Sequence, residues 1–425
     1  MMTGNEITRR NLLKTTGKYA LAAPLLTKAV MLSGCARGVP HVRGDDLPKK
    51  IILQNGSVFM EGRYRKIDME ITKGRITSMT DRIDAVEDNN TRVMDCTDMY
   101  ISPGWVDLHC HIGTKIGIGP GLLGPQMGVT ALVEAGTYGP ETFHNFLRNY
   151  YTEESIPIYV FLNVRKKGIR ASDVMFKSVP GVEDVEGARR LVMEYPDIIR
   201  GLKVRLDSSN TSSAHPAHLA EVTAELGAEL SMPVMYHLGK PEPSIIDFLK
   251  ISKPGDIITH IFRETDNAVL LPSGAARPEA LEAKSGGVIF DVGHGFASFW
   301  FDTAQKALDH DFTDFTISSD LWFLPSRSKA LTFANVASKF LILGLSIEDI
   351  TEKISCRPRE ILQIPSQIRV NEAIDLTIFD VPDGEYKYKD SDGQEMKYSK
   401  RIMPRYTIVR GEIIQSGERD QSLFG

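Results

Sequence analysis

Pro103-Gly104-Trp105-Val106-Asp107-Leu108-His109-Cys110-His111 sets two histidines at alternate positions near the end of an apolar run. Residues two apart on a strand point the same way, so His109 and His111 share a face. The interior of a closed barrel is normally filled by Val, Ile and Leu, and two inward imidazoles there need a partner. Neutral imidazole is the commonest metal-ligating side chain. On its own a His-x-His pair is weak, because such pairs also occur on solvated strands.

Working outward, seven further short apolar runs follow, each trailed by a helical or irregular stretch. They are Thr130–Glu134, Ile158–Asn163, Leu202–Leu206, Val234–His237, Ile257–His260, Val288–Val292 and Phe315–Ser319. Strands alternating with helical segments are parallel βα units, and eight such runs in all predict an α/β fold, a closed (β/α)8 TIM barrel, over residues 103–367. Helices are expected at 183–195, 216–230 and 328–343.

Both ends of the chain read differently. Lys50–Gln54 runs into Asn55-Gly56, a hairpin-type dipeptide. Lys73-Gly74 separates two more short strands. Near the end, Asp375–Phe379 and Tyr406–Val409 are β-branched, with Arg410-Gly411 as a turn. Residues 50–102 and 368–425 are therefore expected to form one small β-sandwich domain built from both termini. The stretch 383–403, rich in Tyr, Lys and Asp, reads as a solvated hairpin.

The polar residues of the barrel sit where its strands end. Lys203 lies mid-strand in Gly201-Leu202-Lys203-Val204-Arg205, while His237, His260 and Asp320 each end a separate apolar run. That end of a barrel carries active sites, whereas the other end carries stability. Four unrelated buried polar groups would each carry a desolvation cost; one metal centre satisfies all of them.

This order of residues resembles the amidohydrolase superfamily: Pro-Gly-x-x-Asp-x-His-x-His, then Lys, His, His and a late Asp. Gly201–Arg205, Phe290-Asp291-Val292-Gly293-His294-Gly295 and Ile317-Ser318-Ser319-Asp320-Leu321 are similar to the dihydroorotase and D-aminoacylase branch, and within it to a group with deacetylase-type activity on acetylated small acids. The resemblance covers residues 50–420. It implies two divalent ions, zinc by default for such N/O ligands, with His109 and His111 on the more buried ion and His237 and His260 on the other. Lys203, carboxylated by carbon dioxide, would bridge them, since a free ammonium would be repelled. Asp320 would bind the buried ion and take the proton from a bridging water, so that metal-bound hydroxide attacks an amide or ester carbonyl. The bland account of Lys203 is an ion pair with Asp320 or Asp207.

Three residues are candidates for substrate binding. Arg205 shares a strand face with Lys203 and suits a carboxylate, although a salt bridge to Asp207 or Glu134 is the alternative. His294, flanked by glycines, ends the seventh strand, and Asn163 ends the third. Asp107 reads as a support that holds the loop behind the metal, and its carboxylate could orient a ligand histidine. His41, His144, His215, His218 and His310 read as surface or cap residues. One departure from the group is Trp322 where relatives carry histidine. With Phe299, Trp300 and Phe301 it suggests either a bulky acyl substrate or packing beneath the loops.

The first residues read as an address. Thr8-Arg9-Arg10-Asn11-Leu12-Leu13-Lys14 precedes an apolar stretch from Tyr19 to Leu32 that ends in Leu32-Ser33-Gly34-Cys35. This resembles a twin-arginine export signal with a lipoprotein cleavage box over residues 1–35, followed by a linker over 36–49. The expected location is the periplasm, with membrane attachment only through a lipid on Cys35. The mature thiols Cys96, Cys110 and Cys356 are expected to be unbridged.

With 425 residues, 25% charged and 42% hydrophobic, disorder and fibrous classes are excluded, and a net charge of −5 offers no basic field for nucleic acid. Four cysteines are too few for a disulfide scaffold. The leading function is a metal-dependent hydrolase of a small acylated acid, with a homo-oligomer possible. A cyclic-amide hydrolase and a catalytically silent ligand-binding lipoprotein are the alternatives.

Overall fold

The computed structural model describes residues 49–113, 117–151, 156–169, 183–205, 215–237, 239, 244–322 and 331–417. The export-signal and lipobox readings, nearly all of the 36–49 linker, His41, Asp207 and the side chain of His215 lie outside these residues. Among the described residues, no helix is long and apolar enough to cross a membrane.

Seven parallel strands form the barrel wall in sequence order: β1 (Trp105–Cys110), β2 (Val129–Ala135), β3 (Ile158–Asn163), β4 (Ile199–Arg205), β5 (Val234–His237), β6 (Ile257–Thr259) and β7 (Ile289–Asp291). Residues 315–321 complete it as an extended run held by single bridges, Asp291 to Thr316 on one side and Cys110 to Leu321 on the other. The helices at Val185–Glu194, His215–Glu229 and Phe333–Ile342 fall within the expected windows to one residue. Asp184 caps the first of them, accepting from the Gly187 amide at 2.9 Å, as an Ncap carboxylate should.

Side-chain alternation fills the lower barrel with Val106, Leu108, Ala131, Val133, Phe161, Met235 and Ile257. Unbroken alternation along β1 would then turn His109 away. Between Asp107 and Cys110 the pairing with β2 slips: Asp107 faces Leu132, but Cys110 faces Glu134, so β1 carries one extra residue. This bulge resets the phase, and it lets Leu108 and His109 both reach the interior although they are chain neighbours. The histidine pair therefore follows the bulge, not the parity of the whole strand.

Two larger sheets lie outside the barrel. One orders Arg75–Thr80, Asp68–Thr72, Lys50–Gln54 and Thr91–Asp95; the other orders Glu412–Gln415, Met403–Val409, Leu376–Asp380, Tyr100–Pro103, Ser57–Met60 and Arg63–Lys66. Ile51, Leu53, Met69 and Ile71 from the first sheet pack with Val58, Ile101, Leu376, Ile378 and Ile408 from the second, making a β-sandwich. Leu376–Asp380 pairs antiparallel with Tyr100–Pro103, which knits the two ends of the chain together.

One of the expected turns needs correcting. Lys73-Gly74 and Arg410-Gly411 do close antiparallel hairpins. Asn55-Gly56 does not: Lys50–Gln54 pairs with Asp68–Thr72 and Thr91–Asp95, and Ser57–Met60 joins the other sheet. Asn55 takes the left-handed conformation, φ 63°, to cross between layers. The hairpin Asp383–Lys389/Glu395–Lys400 is present. Its inner side is covered, however: Tyr388 is buried, and Ser391 exchanges hydrogen bonds with Phe299, its amide donating to the Phe299 carbonyl at 2.9 Å.

Candidate metal centre

The six residues singled out at the strand ends converge at one mouth of the barrel. His109 and His111 come from β1 and its exit, Lys203 from β4 and His237 from the end of β5. His260 and Asp320 follow β6 and the closing run. Donor atoms of His109, His260 and Asp320 all lie within 4.8 Å of one another. Asp320 Oδ1 is 3.0 Å from His111 Nε2 and 3.4 Å from His109 Nε2. Lys203 Nζ lies 3.2 Å from His109 Nε2, and His237 Nδ1 lies 2.8 Å from His260 Nε2. All six are buried.

Hydrogen bonds on the far side of each ring set which nitrogen faces the cluster. Thr259 Oγ1 donates to Asp291 Oδ2 at 2.7 Å, so it can only accept from His109 Nδ1, 3.1 Å away. His260 Nδ1 donates to the Gly293 carbonyl at 2.7 Å. Both histidines therefore turn an Nε2 lone pair inward, as ligands held from behind do. His237 Nε2 is buried with no hydrogen-bond partner among the described residues. A buried, unsatisfied acceptor is costly unless something occupies its lone pair.

The electrostatics run the same way. Burial pushes His109 down to about 4 and His260 to about 3, and burial with the neighbouring His260 holds His237 well below its usual range. Burial also pulls on His111, but Asp320 and Glu134 outweigh it and leave that ring raised. The Asp320 carboxylate stays well below the ordinary range: burial opposes this, and His109, His111 and His260 overcome it. Lys203 is brought to about 7, chiefly by burial. Among the described residues it has no carboxylate within ion-pair distance; its contacts are His109 Nε2 and Met235 Sδ at 3.0 Å. Such a set, acceptor lone pairs around one carboxylate, fits divalent cations.

His260 and Asp320 also share an unusual backbone, with φ 69° and 45°. Left-handed conformations cost a non-glycine residue roughly 1–2 kcal/mol. Strain of this kind concentrates at functional sites, and here neighbouring hydrogen bonds hold both residues in place.

The candidates for substrate contact are placed less uniformly. Arg205 pairs in register with His237 at the mouth. Asn163 pairs with Lys203, and both ends of its amide serve backbone: Nδ2 donates to the Gly136 carbonyl and Oδ1 accepts from the Arg165 amide. His294 is buried with both nitrogens engaged, by the Gly295 carbonyl and by Lys339 Nζ, each at 2.7 Å. Asp107 accepts from the amide and hydroxyl of Ser319 and so holds the closing run behind the cluster, and it accepts from the backbone amide of His109, not from its ring. Phe299 and Phe301 are buried among Phe262, Phe315 and Phe340, whereas Trp322 meets Phe296 edge-on at 5.5 Å. His144, His218 and His310 are exposed, and Cys96, Cys110 and Cys356 are buried and free.

Sequence reasoning passed over Thr137, Arg165, Thr259 and Lys339. It also gave no role to Asp291, which accepts from Thr259, Thr316 and Ser318. Asp291 carries the same signal as the donors, a polar residue in an apolar run. Arg165 is 3% exposed, and burial, then the Arg205 charge, lower it to about 10.

No protein-family profile matches the chain. A deacetylase of Agrobacterium fabrum is 32% identical over 351 residues, covering 80% of this chain and 84% of the relative. A deacetylase of Brucella anthropi is 32% identical over 334 residues, 76% and 81% of the two chains. Among solved structures, a dihydroorotase superposes with TM-score 0.77 at 28% identity, covering 88% of this chain and 99% of the other. An adenine deaminase also gives TM-score 0.77, at 25% identity and 86% and 99% coverage.

Proposed function

The chain belongs to the amidohydrolase superfamily, alongside the bacterial deacetylases, as a hydrolase of carbon–nitrogen bonds other than peptide bonds, and we propose that it uses two divalent ions to hydrolyse the amide, or ester, of a small acylated acid. The observation that carries this reading is the buried cluster of His109, His260 and Asp320, with His111, His237 and Lys203 against it.

His109, His111 and Asp320 would hold one ion and His237 and His260 the other, with Lys203 between them as a carboxylated side chain. Zinc suits these donors best. Bound there, the ions would polarise the scissile carbonyl and lower the pKa of water. The chain's own part is proton handling and orientation. Asp320 turns Oδ1 to His111 and His109, while Oδ2 lies on the Gly295 side. It is placed to take a proton from the attacking water and return it to the leaving nitrogen or oxygen. Arg205, with Arg165 close enough to feel its charge, supplies cationic character that suits the carboxylate of an acylated acid. His294 and Asn163 shape the walls from behind.

The likeness to a dihydroorotase structure favours a second reading, a cyclic-amide hydrolase. The residues 1–35 that resemble a twin-arginine signal and lipobox support export to the periplasm, with a lipid anchor at Cys35. A small molecule is the expected partner, not nucleic acid.

The first test is metal content per chain in the purified protein beside Lys203→Ala, with a panel of N-acetyl amino acids, dihydroorotate and hydantoins. About two divalent ions, falling in the variant, with turnover of the linear compounds, is the expected result. Zero or one ion, unchanged by the substitution, would remove the bridging lysine from the scheme and bring a binding-only lipoprotein forward. Turnover of only the cyclic compounds would replace the deacylase reading.

A further inference from the structure

Lys339 lies on the helix Phe333–Ile342, outside the metal-donor set, and is 1% exposed. Its ammonium donates to the Lys389 carbonyl of the C-terminal hairpin and to His294 Nε2. The Phe299 and Phe301 rings lie 5.4 and 5.8 Å away. Among the described residues no carboxylate pairs with it. Burying a lone lysine is costly, and apolar residues would fill such a space more cheaply.

What Lys339 holds explains its place. With Nε2 accepting from Lys339, His294 has its proton on Nδ1 and donates to the Gly295 carbonyl. Burial, with Lys339 beside it, keeps the ring neutral. His294 stacks on Phe299 at 4.7 Å, 18° from parallel, which fixes its plane. The turn so tied has two faces toward the metal centre. The Gly293 carbonyl accepts from His260 Nδ1, and Gly295 lies so close to Asp320 that a Cβ there would stand 2.6 Å from Oδ2. Hairpin, helix, His294 and turn thus form one continuous set of contacts ending on two residues of the cluster.

We infer that Lys339 is a positioning residue of the hydrolytic site, locking the His294 tautomer and, through the Gly293–Gly295 turn, the placement of His260 and Asp320. The inference rests on reading that cluster as the hydrolytic centre.

The test uses the full chain with Lys339→Met and Lys339→Gln. The first readout is the ¹⁵N spectrum of histidine-labelled protein, with His294 assigned through His294→Gln. The parent should show a single Nδ1–H tautomer at His294, and Lys339→Met a mixture. The second readout is kinetics on the best-turned-over N-acetyl amino acid. There kcat should fall about tenfold to a hundredfold while KM and metal content hold, as for outer residues that orient a centre. Lys339→Gln, which keeps a donor, should recover part of both. If Lys339→Met does not fold, the tautomer and kcat of Lys339→Ala, which also lacks a donor, decide, and values equal to the parent's overturn the inference. A folded Lys339→Met with an unchanged His294 spectrum and unchanged kcat overturns it as well. Absence of turnover in the parent would count against the hydrolytic reading alone, and the spectrum would still judge Lys339.

Discussion

The amide of Asp320 donates to the carbonyl of His109 at 2.6 Å. The backbone that closes the barrel and the side chains that meet across the closure thus belong to the same two residues. Asp320→Asn keeps the backbone bond and the side-chain shape, so the fold should persist with a similar melting temperature. What it removes is the carboxylate that would move the proton. We expect kcat on N-acetyl substrates to fall about 10²–10⁴-fold, the range for losing a general acid–base group. A variant retaining a tenth or more of parental kcat would show that Asp320 does not carry the proton.

Gly136→Ala tests how tightly Lys203 is placed. Gly136 has φ +84°, and a Cβ there would lie 2.5 Å from Lys203 Cγ and 2.8 Å from its Cβ. The left-handed backbone alone should cost about 1–3 kcal/mol. The clash adds to this and pushes the lysine aside. The urea midpoint and the bound metal should therefore fall together. A lower midpoint with full metal content would separate Lys203 from metal binding.

Much of this site is legible in the chain, for a local reason. His109, His111, Lys203, His237, His260 and Asp320 are each polar residues in or closing a short apolar run, and parallel strands deliver such ends to one face. What is not legible is set by distant contacts. The slip between Asp107 and Cys110 depends on β2, so parity counting places the two histidines together for an incomplete reason. Asn55-Gly56 obeys a local turn preference, but each flanking strand finds a better partner in a different sheet. Lys339 sits where a helix pattern places an exposed lysine, and contacts distant along the chain, with His294, Phe299, Phe301 and the hairpin at 383–400, bury it. Thr259 and Thr137 gain their roles from the rings they meet across the barrel, His109 Nδ1 at 3.1 Å and His111 Nδ1 at 2.8 Å.

Asp291 joins the closing run to the cluster. Its Oδ2 accepts from Thr259 and Ser318, and Oδ1 from Thr316, all at 2.7 Å. An amide in its place can accept at one end only, so Asp291→Asn leaves at least one buried hydroxyl unmatched. The expected loss of stability is about 1.5–3 kcal/mol, the range for a hydrogen bond to a charged group. Thr259 would no longer be fixed as an acceptor for His109 Nδ1, so zinc affinity should fall about 10–100-fold. Calorimetric titration of the metal-free variant measures it. Parental affinity would show that the Thr259–Asp291 pair does not orient His109.

Lys339 also predicts how stability depends on pH. Burial lowers its folded value to about 7, whereas an unfolded lysine titrates near 10.4. Below about 7 both states carry the proton and the full cost of burying the charge is present. Between the two values the unfolded chain holds more protons than the folded one, so this contribution makes stability rise with pH, and the penalty is gone above the unfolded value. Lys339→Met has no such group. Whatever constant it loses in hydrogen bonds, its stability relative to the parent should be greatest below about pH 7 and should decline toward about pH 10. The measurement is the difference in urea midpoints between variant and parent across that window. A difference that stays level, or grows with pH, would mean that the buried ammonium is not held near neutrality.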